Sequence, residues 1–180
     1  MRRMWIVMSV VLGACSAARP FEDLPDAERE GLELLDIAPA VQRHENDCGP
    51  AALSEVMAYW GEPVELPAAD RPSLAGELKE AAKERGLAAF LFEGTWEDVT
   101  EQLGKRRPLI VAIKPERRIG FVKLPEGEVA HMVVLVGVNG EREYVVFDDP
   151  DEGRMWMERA DFERQWEQTK ELTLLVGKAE

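Results

Sequence analysis

Between Cys48 and Trp60 the apolar residues Ala52, Leu53, Val56, Met57 and Trp60 recur at intervals of three and four, the spacing of one helical face. Asp47 stands where an N-cap would, Pro50 suits the first turn and Gly61 suits the C-terminal stop. A second helical pattern, from about Ser73 to Arg85, puts Leu74, Leu78, Ala81 and Ala82 on one face and stops at Gly86. In "GTWEDVTEQLG", Thr95 and Asp98 form a capping-box pattern ahead of a short helix that ends at Gly104. A last helix is expected over about 158–168.

Strands carry other signatures. "PLIVAIK" (108–114) is an unbroken apolar run, the mark of a strand buried on both faces, and "LAAFLF" (87–92) and "LTLLVG" (172–177) are further strand candidates. "AHMVVLVGV" and "REYVVFD" flank Asn139-Gly140, the strongest short hairpin signal. The charged stretch 115–128, with Gly120, Pro125 and Gly127, reads as a loop. Runs of helices followed by an antiparallel hairpin predict an α+β domain, its helices packed on one side of four to six strands.

Charge removes one class of partner. The chain has 22 basic and 35 acidic residues, and without Arg2 and Arg3 the net charge moves from -13 to -15. Such a surface repels phosphate backbones, and no basic stripe interrupts it, so nucleic acid is excluded as a partner.

The N-terminus changes the compartment. Arg2 and Arg3 precede an apolar run, Trp5 to Leu12, too short to span a bilayer, and Leu12-Gly13-Ala14-Cys15 resembles a bacterial lipobox. Residues 1–14 are then a lipoprotein signal peptide. Cys15 becomes the lipid anchor, residues 16–36 an acidic tether and residues 37–180 the folded domain. The expected location is the bacterial cell envelope facing the periplasm, with Ser16 favouring the outer membrane.

With Cys15 lipidated, Cys48 has no intramolecular partner outside the cytoplasm, where free thiols are oxidised unless they have a use. Cys48 begins a helix, where unpaired N–H groups and the helix dipole favour a thiolate. A thiolate nucleophile needs an acid–base partner, and the chain holds two histidines. His131 begins one strand of the hairpin and Asp149 ends the other. A tight turn at Asn139-Gly140 pairs His131 with about position 148, one residue from Asp149 and within the slack of a bulge. Asp148 and Asp149 thus compete for the third position, and Gln42, six residues before Cys48, is a candidate oxyanion donor. His44, Cys48, His131 and an aspartate also raise a zinc site, but no paired-cysteine or helical histidine spacing supports it. No metal and no organic cofactor is expected.

"Q-x5-CGPAAL", "HMVVLVGV" and "DDP", met in this order from about Ala40 to Val176, resemble the bacteriocin-processing cysteine peptidases, peptidase family thirty-nine. The resemblance implies a papain-like fold with a half-barrel sheet packed on the Cys48 helix. It implies Cys48 as nucleophile, His131 as base, Asp149 as orienter, since the family's acid precedes the proline, and Gln42 in the oxyanion hole. The implied partner is a peptide or protein substrate, in association with an export system. Well-known members are domains of ATP-driven exporters that cut leaders after a double glycine; this sequence carries no Walker motif. The expected activity is cysteine-dependent proteolysis. The alternatives are peptide binding without cleavage and acyl transfer to an amine.

Overall fold

The computed structural model describes residues 18–67, 69–119, 122–125, 129–139, 141 and 143–178. The signal peptide and Cys15 lie outside the described residues. Ten strands and five helices follow one another: β1 (Arg19–Pro20), α1 (Asp26–Arg29), β2 (Glu33–Leu34), α2 (Cys48–Tyr59), α3 (Ala75–Glu84), β3 (Leu87–Glu93), α4 (Trp96–Gly104), β4 (Leu109–Ile113), β5 (Glu116–Ile119), β6 (Val122–Pro125), β7 (His131–Asn139), β8 (Tyr144–Asp149), β9 (Gly153–Glu158), α5 (Arg159–Glu167) and β10 (Leu172–Lys178). The class is α+β, and among the described residues every strand pairing is antiparallel.

The main sheet runs β1-β9-β8-β7-β4-β10-β3, with β2 continuing the line of β4 along β7. β4 lies inside the sheet between β7 and β10, and all five of its residues are buried, as the unbroken apolar run requires. Helices cover both faces, not one. Asp148 and Asp149 point to opposite faces, as successive strand residues must; Asp148 meets Glu55 of α2, whereas Asp149 shares a cavity with Phe147 and with Gln165 of α5. On the α2 side Leu53, Val56 and Met57 are fully buried, each contributing about 1.5–3 kcal/mol. On the other side Phe162 stacks between Trp96 of α4 and Trp166 of α5, at 6.4 and 5.1 Å.

Further expectations need correction, beginning with the four to six strands, since the main sheet has eight among the described residues. The stretch 115–128 is not all loop: β5 and β6 pair as a separate two-stranded ribbon. Strand β9 was not expected, because Met155, Trp156 and Met157 are all buried and show no alternation. The tether is, from Ala18 onward, part of the folded unit: it adds β1 and β2, and Leu24 and Leu35 are 2% and 4% exposed. Arg19 lies over the Trp156 ring, and Asn139 Nδ2 donates to Glu30 O at 2.8 Å.

The hairpin is also looser than its Asn-Gly step predicts. Asn139 pairs with Tyr144, so the connection takes residues 140–143. Between Leu135 and Gly137 a bulge then shifts the β7–β8 register by one. At that bulge Val136 O accepts the Leu35 N–H at 2.8 Å. A Cβ on Gly137 would stand 2.9 Å from Leu34 Cδ1 and 3.0 Å from the Glu33 carbonyl, so β2 requires glycine there.

Candidate active site

The bulge decides what His131 meets. Beyond it Val134 pairs with Asp148, and the same register sets Asp149 level with Val133, two residues from His131 on the same face. Without the shift Asp149 would stand level with Val134 and point away. His131 Nε2 lies 2.8 Å from Asp149 Oδ1 on this diagonal. The same Oδ1 accepts the backbone N–H of Asp151 at 2.8 Å and of Glu152 at 3.4 Å, a turn that holds the carboxylate still. Asp148 is on the other face, 0% exposed, gripped by Arg154 at 2.7 and 2.8 Å. Of the two aspartates, only Asp149 reaches the imidazole.

Cys48 opens α2, and its sulfur hydrogen-bonds to His131 and to the N–H groups of Met132 and Gly49. With Nε2 engaged by Asp149, the thiol faces Nδ1. Asp47 does not cap the helix with its side chain. Its Oδ1 accepts the Ala69 N–H at 2.8 Å instead, which turns its charge from the sulfur and ties down the loop after α2.

The electrostatics favour a charged pair. Burial pushes the Cys48 thiol up, but the His131 hydrogen bond, the Met132 N–H, the imidazole charge and the Gly49 N–H together hold it below its ordinary value of 9.0. Burial pulls His131 down, yet its hydrogen bonds to Asp149 and Cys48, and their charges, raise it to about 10. Burial lifts Asp149; His131 and the turn N–H groups outweigh it and leave the carboxyl below the usual range. Thiolate, imidazolium and carboxylate are thus mutually stabilising at neutral pH.

These groups open into a cleft of about 620 Å³. Its apolar wall comes from Phe147, Met155 and Met157 of the sheet, from Val129, and from Ala18 and Pro20 of the N-terminal segment. The sequence reading missed all six, since β9 and the packing of residues 18–36 were not legible in it. Gln42 sits close by: its N–H donates to Pro150 O at 2.8 Å, directly after Asp149. Its side chain lines a second groove along the outer side of α2, and its buried Oε1 has no donor. His44 is exposed and lines that groove too, away from Cys48. Among the described residues no group of three or more His, Cys, Asp or Glu side chains is arranged to hold a metal ion.

Known proteins share this architecture. The double glycine motif protease of an AMS/PCAT transporter, solved with its leader peptide, superposes with a TM-score of 0.60 at 22% identity, over 81% of this chain and 94% of its own. The peptidase domain of Streptococcus ComA, a bifunctional ABC transporter of a quorum-sensing pathway, gives 0.61 at 19% identity, over 78% and 97%. The fold is therefore the papain-like one of C39 peptidase domains. No curated protein matches this sequence. The model of the Peptidase_C39-like family matches residues 34–174, most of the chain, and this protein belongs to that family.

Proposed function

We propose that this protein is a cysteine-dependent peptidase that hydrolyses peptide bonds through Cys48, His131 and Asp149. The observation that carries the reading is the shared imidazole, with Asp149 Oδ1 2.8 Å from Nε2 and the Cys48 sulfur on its other side. In this reading the thiolate attacks the scissile carbonyl carbon, and the resulting oxyanion meets the Cys48 N–H at the start of α2. Protonated His131 then gives its proton to the departing amine as the thioester forms. A water molecule attacks the thioester and loses its proton to His131, the carboxylic acid product leaves, and the thiolate returns. Asp149 keeps the ring in one orientation and steadies its charge throughout. The family resemblance implies the Gln42 amide as second oxyanion donor; its backbone link to Pro150 holds it near the acid, but the residue lines the second groove and not the Cys48 cleft.

The lipobox-like Leu12-Gly13-Ala14-Cys15 supports a site for this chemistry at the cell envelope, with residues 1–14 removed and lipid on Cys15. Ala18 lines the cleft only three residues after Cys15, so the anchor is at most about 10 Å of extended chain from the cleft wall. Peptides presented close to the bilayer are then the natural substrates. The cut after a double glycine belongs to the transporter protease and is not carried over here.

An electrophilic peptide probe tests the reading. Wild-type protein reacts at Cys48, and Cys48→Ala does not; equal labelling of both proteins contradicts it. Mass spectrometry of the envelope fraction checks the diacylglycerol on Cys15, which Cys15→Ser removes.

A further inference from the structure

Behind the site lies a buried charged cluster that the chemistry above does not use. Glu55, on α2, is 3% exposed in a stripe otherwise made of Ala52, Leu53, Val56 and Met57. It lies two turns after Cys48 on the same side of the helix. Its Oε2 accepts the Ala40 N–H at 2.8 Å, while its Oε1 is buried with no donor. Its carboxyl meets that of Asp148, the residue before Asp149. Asp148 takes both hydrogen bonds from Arg154, whose Nη2 also donates to Ile37 O at 2.8 Å.

Two ionised carboxylates facing one guanidinium would leave an uncompensated buried negative charge, which is costly. One proton between the carboxyls removes both problems: it neutralises the cluster and gives the orphaned Oε1 a role as donor. We propose that Glu55 is a positioning residue. By sharing one proton with Asp148 it clasps the helix that begins at Cys48 to the strand that ends at Asp149, and so fixes the approach of thiol to imidazole. The clasp adds a polar tie between the Cys48 helix and the Asp149 strand.

Burial first, and then the Asp148 charge, lift the Glu55 carboxyl to about 9, the Ala40 N–H and Arg154 pulling the other way. The charged groups facing the cluster are Asp148 on β8, Arg154 on β9 and the exposed Asp36 just after β2, which acts on Arg154. A raised carboxyl binds its proton more tightly in the folded state. Its contribution is fully present below the ordinary value of 4.5 and is lost as pH rises through about 9.

The inference rests on the peptidase reading only for what the clasp serves; its test needs no substrate. Glu55→Gln keeps a donor toward Asp148 and an acceptor for Ala40 but does not titrate. Its thermal midpoint should match the wild type near pH 5 and exceed it increasingly up to pH 9. A difference that is the same at every pH overturns the shared proton. Iodoacetamide alkylation of Cys48, at a pH on the rising limb of the wild-type rate profile, then reads the thiolate. Glu55→Gln should react as fast as the wild type, whereas Glu55→Leu, which cannot hold Asp148, should react about tenfold more slowly, one unit of thiol pKa. A folded Glu55→Leu alkylated at the wild-type rate, or a folded Glu55→Gln slowed tenfold, overturns the positioning role. If Glu55→Leu does not fold, Glu55→Ala takes its place in the alkylation assay. Failure of the wild type to cleave peptides would count against the peptidase reading and leave these outcomes unchanged.

Discussion

His131 and Asp149, eighteen residues apart and at the far ends of one hairpin, meet at 2.8 Å only because a bulge between Leu135 and Gly137 shifts their register by one. The same shift turns Asp148 to the other face, into the grip of Arg154. Two adjacent carboxylates therefore have separate tasks.

Their variants should separate accordingly. Asp149→Asn leaves the fold intact and lowers kcat by about 10²–10⁴, because the imidazole loses its orienting charge. Asp148→Asn takes the carboxylate from the half-buried Arg154, leaving Glu55 as its remaining counter-charge, and should cost about 1–3 kcal/mol of stability with little change in kcat. Chemical denaturation and peptide turnover, measured on both proteins, check the contrast. Equal kinetic losses in the two would be the opposite result.

The thiolate should persist below the ordinary thiol range. The lowered Cys48 contributes stability above its ordinary 9.0 and loses it as pH falls through its folded value. The raised His131 contributes fully below its ordinary 6.5 and loses it as pH rises through about 10. Between these limits the pair stays charged. The rise in the rate of Cys48 alkylation by iodoacetamide should come at a pH below 9, and His131→Ala should move it up toward 9. A wild-type profile already centred near 9 would be the contrary finding.

The N-terminal segment should matter to both stability and the cleft. Leu24→Ala removes a side chain 2% exposed and should cost about 2–4 kcal/mol. Deleting residues 18–36 also removes β1, β2 and the part of the cleft wall made by Ala18 and Pro20. A chain beginning at residue 37 should unfold at lower temperature and bind peptides with a higher KM. A thermal midpoint and a KM equal to those of a chain beginning at residue 16 would contradict the packing.

Charge at the mouth of the cleft should bias the substrate. Glu45, Asp151 and Glu152 are exposed and line it. Each carboxylate is worth up to about 1 kcal/mol toward a cationic side chain at low salt, or about fivefold in KM. Peptides carrying lysine or arginine near the scissile bond should show lower KM than acidic ones, with the preference fading as ionic strength rises. A preference that salt does not change points away from these carboxylates.

How much was legible follows from which signals are local. The helix after Asp47 and the Thr95–Asp98 capping box are written in consecutive residues, and the box forms with hydrogen bonds of 2.8 and 3.1 Å. β4 was legible because both its faces are covered. β9 was not, for a related reason: Met155, Trp156 and Met157 are all buried, and without alternation so short a run has no strand signature. The acidic composition of residues 16–36 hid Leu24 and Leu35, two side chains that suffice to dock the segment. Cys48, His131 and Asp149 could be proposed from the chain, but the bulge that joins two of them cannot be read from side chains, since it depends on β2 crossing at Gly137. Glu55 did leave a trace, as the one charged residue in an apolar helical stripe.

The most direct measurement is turnover of a mixed peptide library by the wild-type protein beside Cys48→Ala, with product masses recorded. Hydrolysis predicts fragments that sum to the substrate plus one water, formed by the wild type and absent with Cys48→Ala. Cleavage that survives the substitution, or a wild type that binds peptides and returns them intact, would contradict catalysis at Cys48.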